Sequence, residues 1–362
     1  MAIQSNDELK KVHHKKKLYN EQFSQFYKEM FVKYQDRRYF KRSKRMQQCL
    51  DLFIYDKYEQ NKILDLQKVN RCNITRFCPN CKLLSQRKYY FATKPEFDRL
   101  TDEGYNLYFL TLTRKNIKAE DLGDTIDFMN KNFKKLFNKF NQPIGTGFNG
   151  LKDRLIKIEG ALKTLEITYN QVTDEYHPHF HVLLILEKDL NYKYLKKYIK
   201  GRYSYKTNSV NYHSDFEMQL MKVWSLLDSN KRINKTNLNN LPNAPSEDPN
   251  ALLRVIDLRE FDSKGYLELL KYTVKDTDAL IPKVFETLVK TLENKRIRQT
   301  YGKLFNFADS DELDCGEYEE LILQIEEDPE PLKIRDIENL YTTYSEYKKI
   351  SRFTPKNINL QN

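Results

Sequence analysis

The sequence predicts an α+β fold around an antiparallel sheet, and three observations lead there. Several runs have strand character: LYFLTLT (107–113), GALKTLEITYN (160–170), HFHVLLILE (179–187) and LLRVIDL (252–258), each rich in β-branched and aromatic residues. Between them lie helical patterns, the clearest placing Leu122, Ile126, Met129, Phe133, Leu136 and Phe140 on one stripe within 119–141. The third is the linker QVTDEYHP (171–178). It is short and polar, which suits a hairpin and hence antiparallel neighbours.

Taken in order, residues 7–65 have few breakers and apolar residues at three- and four-residue spacings, which predicts helix. RCNITRFCPNCKLL (71–84) is a turn-rich knuckle. Helical patterns recur at 189–200 and 214–228, and 228–250 holds the Asn, Ser and Pro content of a surface loop. GYLELLKYTVK (265–275) opens a further helix. This divides the chain into a basic helical region with a cysteine knuckle (1–95), an α+β domain (96–305) and an acidic extension (306–362).

Of the 362 residues, 40% are hydrophobic and 31% charged, the balance of a folded globular chain. No apolar run reaches the ~18 residues of a membrane span, and MAIQSNDELKKVHHKKK lacks the apolar centre of an export signal. A cytoplasmic protein is expected. The net charge of +11 favours a polyanionic partner. Thirteen Lys and Arg fall between Lys10 and Arg45, interleaved with Tyr19, Phe23, Phe26, Tyr27, Tyr34, Tyr39 and Phe40. That mixture reads as a nucleic-acid surface with rings for stacking. Asp309–Glu330 carries the opposite sign.

Three of the six histidines lie in His177-Pro178-His179-Phe180-His181. On a strand, His179 and His181 project from one face and Phe180 from the other. Two neutral imidazoles side by side suit a divalent metal, and Glu166, on the preceding strand, is the best third ligand. His177 is given no ligand role. In ELLKYTVK (268–275), a helix would set Glu268 beside Tyr272 at i+4, with Lys275 on the same side. Tyrosine titrates near 10, so as a nucleophile it needs a nearby cation, metal or base. Four of the five cysteines, Cys49, Cys72, Cys78 and Cys81, cluster in a chain without an export signal, which favours zinc over disulfides. Cys315 stands apart, as a bystander.

Phe109-Leu110-Thr111-Leu112-Thr113, then LEITYN with HPHFHVLLIL, then ELLKYTVKDTD occur in that order. The ordered set resembles the three motifs of rolling-circle replication initiators of small bacterial plasmids, a branch of the HUH (His-hydrophobe-His) endonucleases. The resemblance covers roughly 45–305 and extends to the cysteine cluster, which in that family ends in a similar CP-x-C. It implies a ferredoxin-like HUH palm, with Mg²⁺ or Mn²⁺ on His179 and His181, Tyr272 as the nucleophile, and Glu268 activating water for the terminating cleavage. The implied products are a 5′-phosphotyrosine and a free 3′-hydroxyl primer. The implied partners are plasmid origin DNA, a host polymerase and, because no GxxxxGK[ST] loop is present, a host helicase. Two other readings stay open: an HUH relaxase or transposase, and a non-enzymatic zinc-dependent DNA-binding repressor.

Overall fold

A computed structural model describes residues 6–49, 52–58, 63–69, 71–142, 151, 153–204, 208–248, 252, 255–270, 274–305 and 337–343. Its elements begin with α1 (Asn6–Tyr34), α2 (Arg37–Gln47), β1 (Leu52–Tyr58), β2 (Ile63–Val69), α3 (Pro79–Asp102), β3 (Asn106–Thr113), α4 (Leu122–Asn141), β4 (Ile158–Asn170) and β5 (Glu175–Leu186). There follow β6 (Ile199–Ser204), β7 (Ser209–His213), α5 (Asp215–Asp228), α6 (Lys235–Asn239), β8 (Val255–Glu260), α7 (Ser263–Leu269), α8 (Asp276–Ala279), α9 (Pro282–Leu292), β9 (Arg298–Gly302) and β10 (Ile337–Thr343). Contacts group the described residues into two compact units: one from 1–88, 276–286 and 310–362, the other from 89–275 and 287–309.

The second unit is built on a five-stranded sheet in the order β8-β3-β5-β4-β9, with every neighbouring pair antiparallel. β3, α4 and β4 interleave with β5, α5 and β8, so that β5 sits in the middle. The β4–β5 connection is the expected hairpin. Asn170 Oδ1 accepts the Val172 N–H at 2.9 Å, and Asp174 takes a positive φ of 51°, which an acidic turn residue tolerates.

Pro178–Leu186 is buried throughout because both faces of β5 are covered. On one face Leu183 and Ile185 join Leu162, Phe97, Leu100 and Leu269 in a core cluster. On the other, Phe180 meets Phe133 of α4 edge-on at 6.0 Å. The expected stripe of α4 is what packs there: Leu122, Ile126, Met129, Phe133, Leu136 and Phe140 are all buried. Helix α5 starts at a capping box, Ser214 with Glu217, which satisfies two backbone donors reciprocally. Its buried Trp224 donates Nε1–H to the Thr113 carbonyl at 2.9 Å, tying the helix to the end of β3.

In the first unit α1 and α2 reverse at Gln35 (φ 56°), and Asp36 caps α2 by accepting the Arg38 N–H at 2.8 Å. Phe23, Phe26 and Tyr27 close on Phe285, with ring centroids 5.3, 5.4 and 5.0 Å away. β1 pairs antiparallel with both β2 and β10.

Four expectations need correction. The helical reading of 7–65 fails beyond Gln47, since Leu52–Tyr58 and Ile63–Val69 are strands. The aromatics interleaved with the N-terminal cations are mostly core: Phe23, Phe26, Tyr27 and Tyr39 are buried, and of the seven only Phe40 is exposed, at 38%. In place of a helix at 189–200 there is a single 3-10 turn, Tyr192–Leu195, before β6 begins. The helix expected over 265–275 stops at Leu269. The 228–250 loop holds the short α6. The acidic stretch 309–330, with Cys315, lies outside the described residues. Among the described residues no helix is long and apolar enough to cross a membrane.

Candidate metal centres

The register of the central strands builds the first centre. Glu166 faces His179 across the β4–β5 pair, and His181 lies between Thr164 and Thr111. Alternation along each strand then turns Glu166, His179, His181 and Thr111 to one face. Glu166 Oε2 lies 3.0 Å from His179 Nε2 and 2.6 Å from His181 Nε2. All three residues are buried, and their donor atoms lie within 4.8 Å of one another.

The outer nitrogens fix how the rings present themselves. His179 Nδ1 lies 3.2 Å from the His177 carbonyl oxygen. That oxygen can only accept, so Nδ1 carries the proton and a neutral ring shows its Nε2 lone pair to the Glu166 carboxylate. Two acceptors facing one another at 3.0 Å are satisfied by a cation between them or by a proton on the ring. His181 Nδ1 is held by the Thr111 hydroxyl at 3.2 Å, and its ring stacks on Phe109 at 5.7 Å. Burial works against ionisation of Glu166, but the two imidazoles outweigh it and hold the carboxyl well below its usual range. The donor set, two imidazoles and one carboxylate on one face, fits Mn²⁺ or Mg²⁺ with positions left open.

A second carboxylate approaches from another element. Glu268 Oε2 lies 3.9 Å from His181 Nε2, and its side chain is 31% exposed where the triad is 5–10% exposed. It comes from the last turn of α7, one residue before that helix ends. Beyond it Val274 makes a parallel bridge to Ile167, the neighbour of Glu166. The helix that carries Glu268 ends at Leu269, so Lys275, exposed beyond the bridge, does not share its face. Tyr272 lies outside the described residues. Phe109 and Thr111 stood in the sequence only as part of a motif, with no role at the histidines. The signal was available, because residues 109, 111 and 113 share a face of β3.

The second centre gathers the cysteines. Cys49 follows α2, Cys72 and Cys78 flank a turn, and Cys81 lies in the first turn of α3. Pro79 opens that helix, where its missing N–H costs nothing. The sulfurs of Cys49 and Cys78, Cys49 and Cys81, and Cys72 and Cys81 are 3.5, 3.7 and 3.5 Å apart, and all four residues are buried. Thiolates at ~2.3 Å from a tetrahedral Zn²⁺ stand about 3.8 Å from one another, so the cage fits zinc. Such a centre carries two net negative charges, and cations surround it. Lys17 donates to the Gln47 carbonyl at 2.7 Å, Arg45 to the Cys72 carbonyl, and Lys16 and Lys82 feel the Cys78 charge.

The chain that carries these centres is similar to known proteins. The model of the replication protein family matches residues 63–349, most of the chain. The chain belongs to the replication protein family. A "Protein rep" of Bacillus amyloliquefaciens is 28% identical over 67% of this chain and 62% of its own length. Another from Staphylococcus aureus is 28% identical over 64% and 80%, respectively. A third, from Streptococcus pneumoniae serotype 2, is 30% identical over 40% of this chain and 41% of its own. This replication protein thus spans somewhat less than two thirds of the first relative's length. No solved structure matches it.

Proposed function

We propose that this replication protein starts rolling-circle replication of a plasmid by nicking one origin strand, with Tyr272 as the nucleophile. The observation that carries the reading is the convergence of Glu166, His179 and His181 on one sheet face, with Glu268 at 3.9 Å from His181. The strand order β8-β3-β5-β4, with α4 and α5 as connections, supports a ferredoxin-like palm of the HUH nucleases.

In this reading His179, His181 and Glu166 hold Mg²⁺ or Mn²⁺, which when bound offsets charge building on the scissile phosphate. The Tyr272 oxygen bonds to phosphorus and loses its proton, while the bond to the 3′-oxygen breaks and that oxygen leaves as a protonated hydroxyl. The phosphodiester energy is conserved in a 5′-phosphotyrosine, and the 3′-hydroxyl primes synthesis. Lys275, three residues beyond the tyrosine, supplies a cation to the same segment. Glu268, half-open to solvent, takes the proton of the water that ends the reaction, so that no second adduct remains.

Cys49, Cys72, Cys78 and Cys81 would hold Zn²⁺ as a closed structural site. The region 1–95 would then bind duplex origin DNA through the exposed Arg37, Arg38, Lys41 and Lys44 of α2. Residues 96–305 carry the nuclease, 306–362 the acidic extension, and unwinding and synthesis fall to a host helicase and polymerase in the bacterial cytoplasm. The decisive test is a labelled single-stranded origin oligonucleotide with Mn²⁺, resolved on a denaturing gel. The native protein forms a covalent adduct and Tyr272→Phe forms none. An adduct with Tyr272→Phe would transfer the nucleophile elsewhere and overturn the assignment.

A further inference from the structure

From Tyr192 to His213 the chain carries six tyrosines, six Lys or Arg and no acidic residue. The structure turns the second half of this stretch into the β6–β7 hairpin, a two-stranded sheet of its own. Its register runs Ile199↔His213 and Lys200↔Tyr212, then Tyr203↔Val210 and Ser204↔Ser209. Three steps along β6 from Lys200 to Tyr203 match two along β7, so β6 carries one extra residue. This bulge resets the alternation. Tyr203 would otherwise face away from Lys200, but it comes to the side that holds Lys200, Tyr212 and Val210. Tyr198 lies just before β6, two residues ahead of Lys200, and its N–H bonds the His213 carbonyl at 3.1 Å.

These rings are open to solvent: Tyr198 is 56% exposed, Tyr203 48% and Tyr212 51%. The backbone beneath them is fixed. A Cβ on Gly201, inside the bulge, would come within 2.6 Å of both the Asn211 carbonyl oxygen and the His213 ring. Only glycine fits there. Ser246 donates to the Lys200 carbonyl at 3.0 Å, and Arg202 donates to the Leu252 carbonyl at 2.8 Å. The Tyr198 hydroxyl donates to Asp215 at 2.6 Å and that of Tyr203 to Asn208. Tyr198 and Tyr203 are therefore held by their polar tips while their rings stay exposed.

Charge says what fits the face. Lys193, Lys196, Lys197 and Lys200 are exposed along the same segment. Two acids beside them are already engaged: Asp215 accepts from Tyr198, and Glu217 is buried, caps α5 and takes Lys197 at 3.4 Å. Open aromatic faces among lysines suit a polyanion that exposes flat rings, which is single-stranded DNA. Duplex DNA hides those ring faces in its stack and shows only edges in its grooves.

We propose that the Tyr198–Tyr203–Tyr212 face of the hairpin is a stacking platform for unpaired DNA, with Lys196 and Lys200 on its phosphates. The identification of that DNA as the strand opened at an origin rests on the function proposed above; the binding chemistry does not. The platform is tested in the full-length protein by anisotropy of a fluorescein-labelled oligothymidylate, without added divalent metal. The triple variant Tyr198→Ala, Tyr203→Ala, Tyr212→Ala should bind about tenfold or more weakly, while the corresponding triple Phe variant and all affinities for duplex DNA stay within about twofold of native. Unchanged melting by circular dichroism shows that the fold survives. Native affinity in the triple Ala variant overturns the platform, and leaves the face to a protein partner. Equal losses in the Ala and Phe variants also overturn it, because the rings would then not be what binds. The adduct assay with Mn²⁺ is scored separately. If the native protein forms no adduct, the nicking reading falls and the titration still decides the platform.

Discussion

The two buried donor clusters differ in how they are closed. The four cysteines lie at 0–3% exposure, with sulfur spacings that leave no place for a fifth group. They come from loops and helix ends, which such a cage can hold together. The Glu166, His179 and His181 cluster has only three donors, is carried by the neighbouring strands β4 and β5, and has a partly exposed carboxylate beside it. A metal in the first is saturated by protein. In the second, three protein donors leave coordination positions open. Closed sites hold folds and open ones do chemistry, so damage to each should read out differently.

The largest contrast comes from the open site. His181→Ala should lower adduct formation with Mn²⁺ by about a thousandfold or more, several kcal/mol of lost charge stabilisation. Zinc content and origin binding should stay near native, since backbone contacts carry most of that affinity. Equal activity of this variant with and without chelator would remove the metal from the mechanism.

Within the same site Glu268→Gln should divide the two cleavages. The first nick and its adduct persist, because a phenol and not water attacks, while termination slows by about a hundredfold. Plasmid products longer than unit length then accumulate. A first nick lost as fully as in Tyr272→Phe would reassign Glu268 to the nucleophile or the metal.

Cys78→Ser reverses the pattern. Metal analysis should fall from about one zinc per chain to none, with a lower Tm for the N-terminal region and weaker duplex binding. Cleavage of an already single-stranded site should change only a few-fold. Native zinc content in this variant would break the comparison.

The smallest effect belongs to Lys163, on the opposite face of the same strands, where its amine donates to Asn130 and lies 4.1 Å from the Phe180 ring centroid. Burial pushes that amine down to about 7, against about 10.4 in an unfolded chain. Between those values the unfolded chain binds a proton that the folded chain does not, so stability rises with pH across the window. Below about 7 the cost of burying the charge is fully present. Lys163→Met should therefore melt a few degrees above native at about pH 6, with the gap closing towards pH 10. A gap that stays constant across the window would show that the amine is not the titrating group.

Much of the open site was legible because it depends on a period of two. His179 and His181 on an apolar run, and Glu166 one hairpin away, needed only alternation and a short turn. The course after Glu268 was not legible. Leu269, Leu270 and Lys275 continue a helical pattern, yet the chain leaves the helix and Val274 joins Ile167 in the sheet, a tertiary pairing that β-branched residues favour and local sequence does not announce. The β6–β7 hairpin was missed for a related reason. Its faces alternate tyrosine with lysine and glycine, so an apolar-polar count sees nothing. The N-terminal aromatics carried their own warning: Tyr19, Phe23, Phe26 and Tyr27 recur at three- and four-residue steps, the spacing of a buried helical stripe.

One consequence follows from the pairing of Glu166 with His179. A slip of one residue between β4 and β5 would carry every side chain of one strand to the far surface. The carboxylate and the imidazoles would then point in opposite directions, with nothing between them for an ion to bind. The register that completes the sheet therefore also completes the candidate metal site, and a mispaired chain would lack it.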